Sequence, residues 1–383
     1  MDFAFTSEQE AIRETAARFA ADRLAPGYME RDRDAGLPRD LVAEMGALGL
    51  IGVELPESHG GLGLDGVTAG IVVEELSRAD LNITYVQVLG ALVGSILVRH
   101  GDPALADRIV PELCRGGMLA ALALTEPGGG SDAANLRMKA VRTNQGYVLD
   151  GEKTSISMAD KADAALVFAR TGTTEEKAHG VTAFWVELDA PGVSRTAFDD
   201  LGARMVGRGS IFLDGVVVPD TARVGGEGEG FRQVMSGFDY SRALIGLQVI
   251  AAARASLDEA WSEAGEREAF GRPIGANQGV SFPLAEAETM LTAARLLCYR
   301  TLWLRDQGLP HTSEAAMCKW WAPKLAFDVI RECLLVHGHS GYSKDTPHQQ
   351  RLRDVLGLQI GDGTAQIQKL VIARKHLGRD LAG

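Results

Sequence analysis

Leu124-Thr-Glu-Pro-Gly-Gly-Gly-Ser-Asp132 and, far downstream, Gly361-Asp-Gly-Thr-Ala-Gln-Ile-Gln368 are the stretches that decide how this chain is read. Consecutive glycines let a backbone approach a ligand closely and turn its amides toward anionic oxygen. Ser131 adds a hydroxyl donor, and Thr125 with the backbone near Leu124 offers polar groups to a planar ring edge. The same residues also suit an ordinary β-turn, and a glycine cluster alone is weak evidence. In the second stretch, glycines on both sides expose the Asp362 carboxylate, and the amides there can bond a carbonyl oxygen. The alternative is a helix cap, with Asp362 or Thr364 satisfying free amides at a helix N-terminus.

Around these stretches the texture of the chain changes twice. Residues 1–116 read as helical. Thr6 and Gln9 have the spacing of a capping box. Ile12, Ala16 and Phe19 follow at helical spacing, and Pro26 is expected to end that run. After the turn Gly60-Gly-Leu-Gly63, helices are predicted over Thr68–Ala79 and Ile83–His100. Residues 117–225 carry short β-type runs: Tyr147-Val-Leu149, Ala165–Ala169, Val181–Val186 and Ile211–Val218. Asn144-Gln-Gly146 and Asp150-Gly151 read as turns, Asp214-Gly215 as a turn or bulge. Residues 226–383 are helical again, over about Phe231–Ala264, Pro283–Asp306 and Ser313–His337, with a last helix carrying Ile367, Leu370, Val371 and Arg374. The expected class is α+β: a helical domain, a β domain, then a helical bundle.

Composition narrows the function classes. The chain has 383 residues, 46% of them hydrophobic, enough for a full core. With 39 basic and 51 acidic residues its net charge is −12, which argues against a surface for nucleic acid or anionic membrane. The cysteines Cys114, Cys298, Cys318 and Cys333 lack metal-ligand or redox spacing and read as reduced, buried thiols of a cytoplasmic protein. Met1–Glu10 lacks the character of a signal peptide, and no apolar run reaches the roughly 20 residues of a membrane span. There is no paired histidine or cysteine motif, nucleophile elbow or Walker sequence, so metal hydrolase, serine esterase and nucleotide hydrolase readings have no residues to carry them.

Other groups are ambiguous alone. Arg267-Glu-Ala-Phe-Gly-Arg-Pro273 followed by Gln278 could present arginine's donor fork to a pyrophosphate, or could be a solvated helix end. Asp239-Tyr-Ser-Arg242 could be an ion pair. His337 and His339 flank Gly338 and suit a pocket lining or a turn. Arg353-Asp354 reads as a structural salt bridge.

Taken in order, these segments resemble the acyl-CoA dehydrogenase family over essentially the whole chain. The family's Thr-Glu-Pro-x-x-Gly-Ser-Asp signature stands at Thr125–Asp132, its Glu-Arg-x-x-Phe-Gly-x-Pro-Ile signature at Glu266–Ile274, and its Glu-Gly-Thr-x-x-Ile-Gln motif at Asp362–Gln368. The resemblance implies bound FAD, a homotetramer and a middle β domain between an N-terminal helical domain and a C-terminal four-helix bundle. It implies that Leu124, Thr125, Gly130, Ser131, Ser155, Ile156 and Ser157 meet the flavin and its phosphates. Arg267, Phe270 and Gln278 would reach the FAD of a neighbouring subunit, with Gly338, His339, Thr364 and Gln366 around its adenosine end. Ser131, Asp239, Arg242, Gly361, Gly363 and Arg374 would adjoin the acyl-CoA, and Asp362 would be the base. The electrons would pass to an electron-transfer flavoprotein.

The departures matter as much. The family usually has glutamate at position 362, so this base is one methylene shorter and its carboxylate sits about 1 Å further back, a shift that can matter for a positioned base. An aromatic residue often precedes it, and here Gly361 leaves room. The usual Trp-Ile-Thr beside the flavin is Ser155-Ile156-Ser157, and a usual glutamine is Leu335. Ser241 stands where some members carry the base on the bundle. The overall pattern is similar to the alicyclic members, which act on cyclohexanecarboxyl-CoA. A short branched acyl-CoA, another flavin chemistry and a non-catalytic binding role are the alternatives.

Overall fold

The computed structural model describes residues 4–378, so Met1-Asp2-Phe3 of the signal-peptide reading lies outside the described residues. The N-terminal helices are α1 (Ser7–Phe19), α2 (Tyr28–Asp34), α3 (Arg39–Ala47), α4 (Gly66–Ala79), α5 (Thr84–His100) and α6 (Pro103–Cys114). Thr6 and Gln9 do form the reciprocal capping box of α1. Pro26 does not end the helical path. A π-type turn over Ala20–Leu24 and a 3-10 turn over Ala25–Gly27 carry the chain into α2. Pro26 sits in the first positions of that short turn, where a missing N–H costs nothing.

The middle region is an eight-stranded sheet of β1 (Ala120–Ala123), β2 (Lys139–Thr143), β3 (Gly146–Ile156), β4 (Ala164–Arg170), β5 (Val181–Glu187), β6 (Val193–Ala197), β7 (Gly209–Val218) and β8 (Arg223–Val224). Its order is β6-β7-β3-β2-β4-β5-β8, with β1 pairing parallel to β4. Asp150-Gly151 is not a turn. It lies inside β3, where the register against β7 slips between Leu149 and Gly151. Asp214-Gly215 opposes it on β7, and the pair forms a bulge, one of two register shifts in this ladder.

The C-terminal region comprises α7 (Gly230–Glu266), the two-residue strands β9 (Glu268–Ala269) and β10 (Arg272–Pro273), then α8 (Gln278–Asp306), α9 (Thr312–Val336), α10 (His339–Tyr342), α11 (His348–Gly357) and α12 (Ala365–Leu377). Pro283 lies inside α8 rather than at its start. All four cysteines are buried and free.

Two apolar cores organise the molecule. One runs without a break from the N-terminal helices across the sheet, and the other fills the C-terminal bundle. Helix α7, 37 residues and therefore about 55 Å long, belongs to both. Val234, Phe238 and Leu244 enter the first, and Val249, Leu257 and Ala260 the second. The buried Asp354 of α11 joins all three regions. It accepts from Tyr28 Oη and Asn82 Nδ2, both at 2.8 Å, and from the Ala203 amide at 2.6 Å. Its neighbour Arg353 instead pairs with Asp32 at 2.8 Å, so the two residues do not bridge each other. Burial raises the Asp354 carboxyl to about 6 despite its donors.

Candidate active site

The loop 125–132 is built on a buried ion pair that the motif alone does not show. Lys153 on β3 has no exposed side-chain surface; its Nζ donates to the Leu124 carbonyl at 3.0 Å and to Glu126 at 2.7 Å. Glu126 also accepts from the Arg137 and Met138 amides at 2.6 and 2.8 Å. Burial alone would raise Glu126, but Lys153 and these amides hold it below its usual range, while burial lowers Lys153 to about 8. The loop above this pair is open. A Cβ added at Gly128 would meet nothing within 4 Å, and one at Gly130 only Thr125 Cγ2 at 4.0 Å.

The Thr154 amide donates to the Thr125 carbonyl at 2.9 Å, which joins the loop to the end of β3. There the register shifts between Lys153 and Ile156, and Ser155, with φ 58°, is turned outward while Ile156 is buried. Ser157 follows directly. The hydroxyls of Thr125, Ser131, Ser155 and Ser157 donate to no other described residue. Uncommitted hydroxyls beside a glycine loop that leaves room for close approach fit the polar ring edge and phosphates of a flavin nucleotide.

Ile156 pairs with Gly209, the next residue after Arg208, and the Arg208 cation acts on the Asp362 carboxylate. The turn that carries Asp362 is locked from three sides. Gln368 Nε2 donates to the Asp362 and Gly363 carbonyls at 3.1 and 3.2 Å. Arg242 Nε reaches the Asp362 carbonyl at 3.5 Å. Lys319 Nζ, buried on α9, donates to the Leu358 carbonyl at 2.6 Å. Gly363 sits at φ 92°, a conformation that strains any residue with a side chain, and a Cβ there would displace Gln368 Nε2, 2.3 Å away, from its bonds to this turn.

This geometry settles the cap question. Thr364 Oγ1 accepts the Ile367 amide at 3.4 Å and caps α12. Asp362 instead takes a left-handed φ of 53°, and its carboxylate makes no hydrogen bond among the described residues. Burial raises its carboxyl, opposed by the cations of Lys319, Arg242 and Arg208. A half-buried, unshared carboxylate with a raised pKa is suited to taking a proton.

Lys319 is the residue sequence reading missed here. Burial lowers its ammonium to about 8, with the Asp362 charge pulling the other way. A lone lysine in the apolar run Ala315-Ala-Met-Cys-Lys-Trp-Trp321 was the available signal. Lys319→Met is expected to raise the Asp362 carboxyl further. The acid limb of the pH–rate profile would then move to higher pH, read by stopped-flow flavin reduction. An unmoved limb would show that Lys319 only braces Leu358.

Other expected residues fall into separate groups. Asp239 pairs with Arg242 at 3.0 Å and accepts from Thr312 Oγ1 at 2.5 Å, so the ion pair is real and adjoins Asp362. Gly361 is exposed, and a Cβ there would meet nothing within 4 Å. Arg267 Nη1 approaches the His337 carbonyl at 3.4 Å, which places Arg267 beside Gly338. His337 takes the turn role: its Nδ1 contacts the Cys333 carbonyl at 2.7 Å and its ring packs on His348. Phe270, at the hairpin tip with φ 55°, is fully exposed, and Gln278, Leu335, His339, Gln366 and Arg374 are exposed too. No contact within the single chain brings Phe270 or Gln278 to the glycine loop among the described residues. Nor do the described residues contain a cluster suited to a metal or a helix able to cross a membrane.

The comparisons with known proteins agree with this architecture. The chain matches the acyl-CoA dehydrogenase N-terminal domain over residues 6–117, the middle domain over 121–216 and the C-terminal domain over 228–377. It is 34% identical to a probable acyl-CoA dehydrogenase of Bacillus subtilis, covering 98% of this chain and 100% of that protein. It is 36% identical to a benzylmalonyl-CoA dehydrogenase of Aromatoleum aromaticum, covering 98% and 99%. Its fold matches butyryl-CoA dehydrogenase from Megasphaera elsdenii with a TM-score of 0.95 at 31% identity, covering 98% of this chain and 100% of that one. With matches over all three regions, the chain belongs to the acyl-CoA dehydrogenase family and is an FAD-dependent oxidoreductase.

Proposed function

We propose that this acyl-CoA dehydrogenase acts on a thioester whose α-carbon is branched or part of a ring, cyclohexanecarboxyl-CoA being the type substrate, with Asp362 as the base. The observation that carries this reading is the Gly361–Asp362 pair. The carboxylate is half-buried and accepts no hydrogen bond among the described residues, and the position before it leaves open space. A tertiary α-carbon needs room on its far side, which an aromatic residue at 361 would fill.

Bound FAD supplies the hydride acceptor; Leu124, Thr125, Gly130, Ser131 and Ser155–Ser157 would hold it. Asp362 takes the α-proton. The Asp362 amide, presented by a left-handed turn, is a donor for the thioester oxygen as negative charge develops there. Arg242 and Asp239 brace that turn from α7. Ser241 is buried and bonds within its own helix, which leaves Asp362 as the carboxylate placed for this role.

Relatives named for benzylmalonyl-CoA and for short-chain acyl-CoA show that the family site accepts different acyl groups, and a short branched chain is the second reading. A structure named for an electron-transferring flavoprotein matches with a TM-score of 0.95, which supports such a protein as electron acceptor. Exposed Phe282, Met290, Leu296 and Trp303 along α8, with Phe270 at the hairpin tip, support burial of this face in a homotetramer.

The test is anaerobic bleaching of the flavin band at about 450 nm, an absorption that follows the oxidised cofactor. Fast bleaching by cyclohexanecarboxyl-CoA, with butyryl- and isobutyryl-CoA at least about tenfold slower in kcat/KM, is the expected result. Preference for isobutyryl-CoA would discard the ring. No bleaching by any member of the panel would remove α,β-dehydrogenation of these substrates.

A further inference from the structure

The glycine loop stands on two feet, and a buried cation fixes each. Lys153 holds the first, at the Leu124 carbonyl and Glu126. Arg170, the last residue of β4, holds the second. Its amide donates to the Met138 carbonyl at 2.7 Å. Its Nε donates to the Leu136 carbonyl and its Nη2 to the Ala134 carbonyl, both at 2.9 Å. Its Nη1 closes the turn beyond β4, donating to the Thr173 and Lys177 carbonyls at 2.8 and 3.0 Å. Ala134 stands three residues beyond Ser131, so this guanidinium sets where the Gly130–Ser131 end of the loop comes down.

The two cations differ in what answers their charge. Lys153 faces the Glu126 carboxylate at 2.7 Å. Arg170 is 7% exposed, and all four of its side-chain acceptors are neutral carbonyls. It forms no ion pair with a carboxylate among the described residues. Glu176, on the same turn, is exposed and uses its Oε2 to accept the Thr173 amide at 2.8 Å. Asp132, on the loop itself, is exposed to solvent. Two buried cations and one carboxylate therefore leave the base of the loop with an uncompensated positive charge. Carbonyl dipoles satisfy the N–H groups of an arginine but do not cancel its charge, and an anion seated in front of it does.

We propose that Arg170 is the positioning residue for the diphosphate of FAD. It fixes the second foot of the loop so that Gly130 and Ser131 meet the phosphates, and it supplies the positive charge behind them. The inference rests on the flavin placement proposed above and deepens it by naming what holds the phosphate side of the loop. Lys153, with the Thr154 amide bonded to the Thr125 carbonyl, holds the ring side. Arginine suits the position because its five donors lie in a rigid fork that spans two separate segments, which the three donors of one ammonium do not.

Two variants test this. Arg170→Lys keeps the charge and loses the span. Asn135→Asp, at the exposed residue between the two bonded carbonyls, leaves the span and adds a negative charge with almost no change of shape. The dissociation constant of FAD is read from the fluorescence of flavin released on diluting the loaded protein. Phosphorus NMR of bound FAD reports the diphosphate, and visible absorption and circular dichroism report the ring. The expected result is a dissociation constant raised about tenfold in Arg170→Lys and about threefold in Asn135→Asp. The phosphorus resonances should move in both variants while the ring spectra stay unchanged. Unchanged affinity in both variants would overturn the proposal. So would weaker binding with the ring spectra disturbed as much as the phosphorus resonances, since Arg170 would then be a general support. If Arg170→Lys does not fold, Asn135→Asp decides alone, and unchanged affinity and phosphorus resonances there overturn the proposal. Ser131→Ala separates this inference from the flavin placement. Weaker FAD binding in Ser131→Ala but not in Arg170→Lys or Asn135→Asp would remove only the role of Arg170. Unchanged binding in all three would remove the phosphates from the glycine loop as well.

Discussion

Asp362→Asn is expected to slow flavin reduction by substrate about 10²- to 10⁴-fold, the usual contribution of a positioned general base. The side chain is nearly isosteric, and the turn is held by backbone bonds from Gln368 and Arg242 that the change does not touch. The variant should therefore remain yellow and bind CoA thioesters, with the loss confined to the chemical step. Burial holds the Asp362 carboxyl above its ordinary range against three nearby cations. The rate in the unaltered protein should rise with pH as this proton is lost, with a midpoint above that of an ordinary aspartate. Stopped-flow reduction across pH, with flavin content as a control, checks both. A variant that retains most of the rate would assign the proton to another group.

Lys153→Ala is expected to cost about 3–5 kcal/mol of stability, the range for removing one partner of a buried ion pair. Glu126, with 11% of its side chain exposed, would keep its charge and two amide donors but lose its cation. The Leu124 carbonyl would lose its donor at the same time. Because both bonds support the start of the glycine loop, flavin retention on gel filtration should fall together with the midpoint of thermal unfolding. A Lys153→Met/Glu126→Gln double variant should recover a good part of the loss, since no unpaired charge is then left inside. An additive double variant would show that the pair is not coupled.

Local signals of the fold were legible in the sequence wherever one residue type has one physical use. Thr6 and Gln9 marked the first cap, apolar periodicity marked α5 and α7, and buried β-type runs marked β4 and β5. The errors fell where context overrides local preference. Asp150-Gly151 has the chemistry of a tight turn, yet the ladder with β7 continues through it as a bulge, because β3 has a long partner to follow. Pro26 is a helix breaker that costs nothing when a new turn begins at that point.

The sequence by itself determined the order of helical, β and helical regions, because apolar periodicity is local, while Asp362 enters as candidate base only through the resemblance of Asp362–Gln368 to the family motif. It left open whether Asp362 or Thr364 served as the cap. Only the tertiary structure decided that, by placing Asp362 in a left-handed turn braced by Gln368, Arg242 and the Lys319-supported segment. It also brought Lys153 to Glu126 and the Leu124 carbonyl, and Arg242 to the Asp362 carbonyl, from elements far apart in the chain. Charge–charge and desolvation effects depend on distance in space and on the dielectric around each group, and neither is written in the spacing of residues along a sequence.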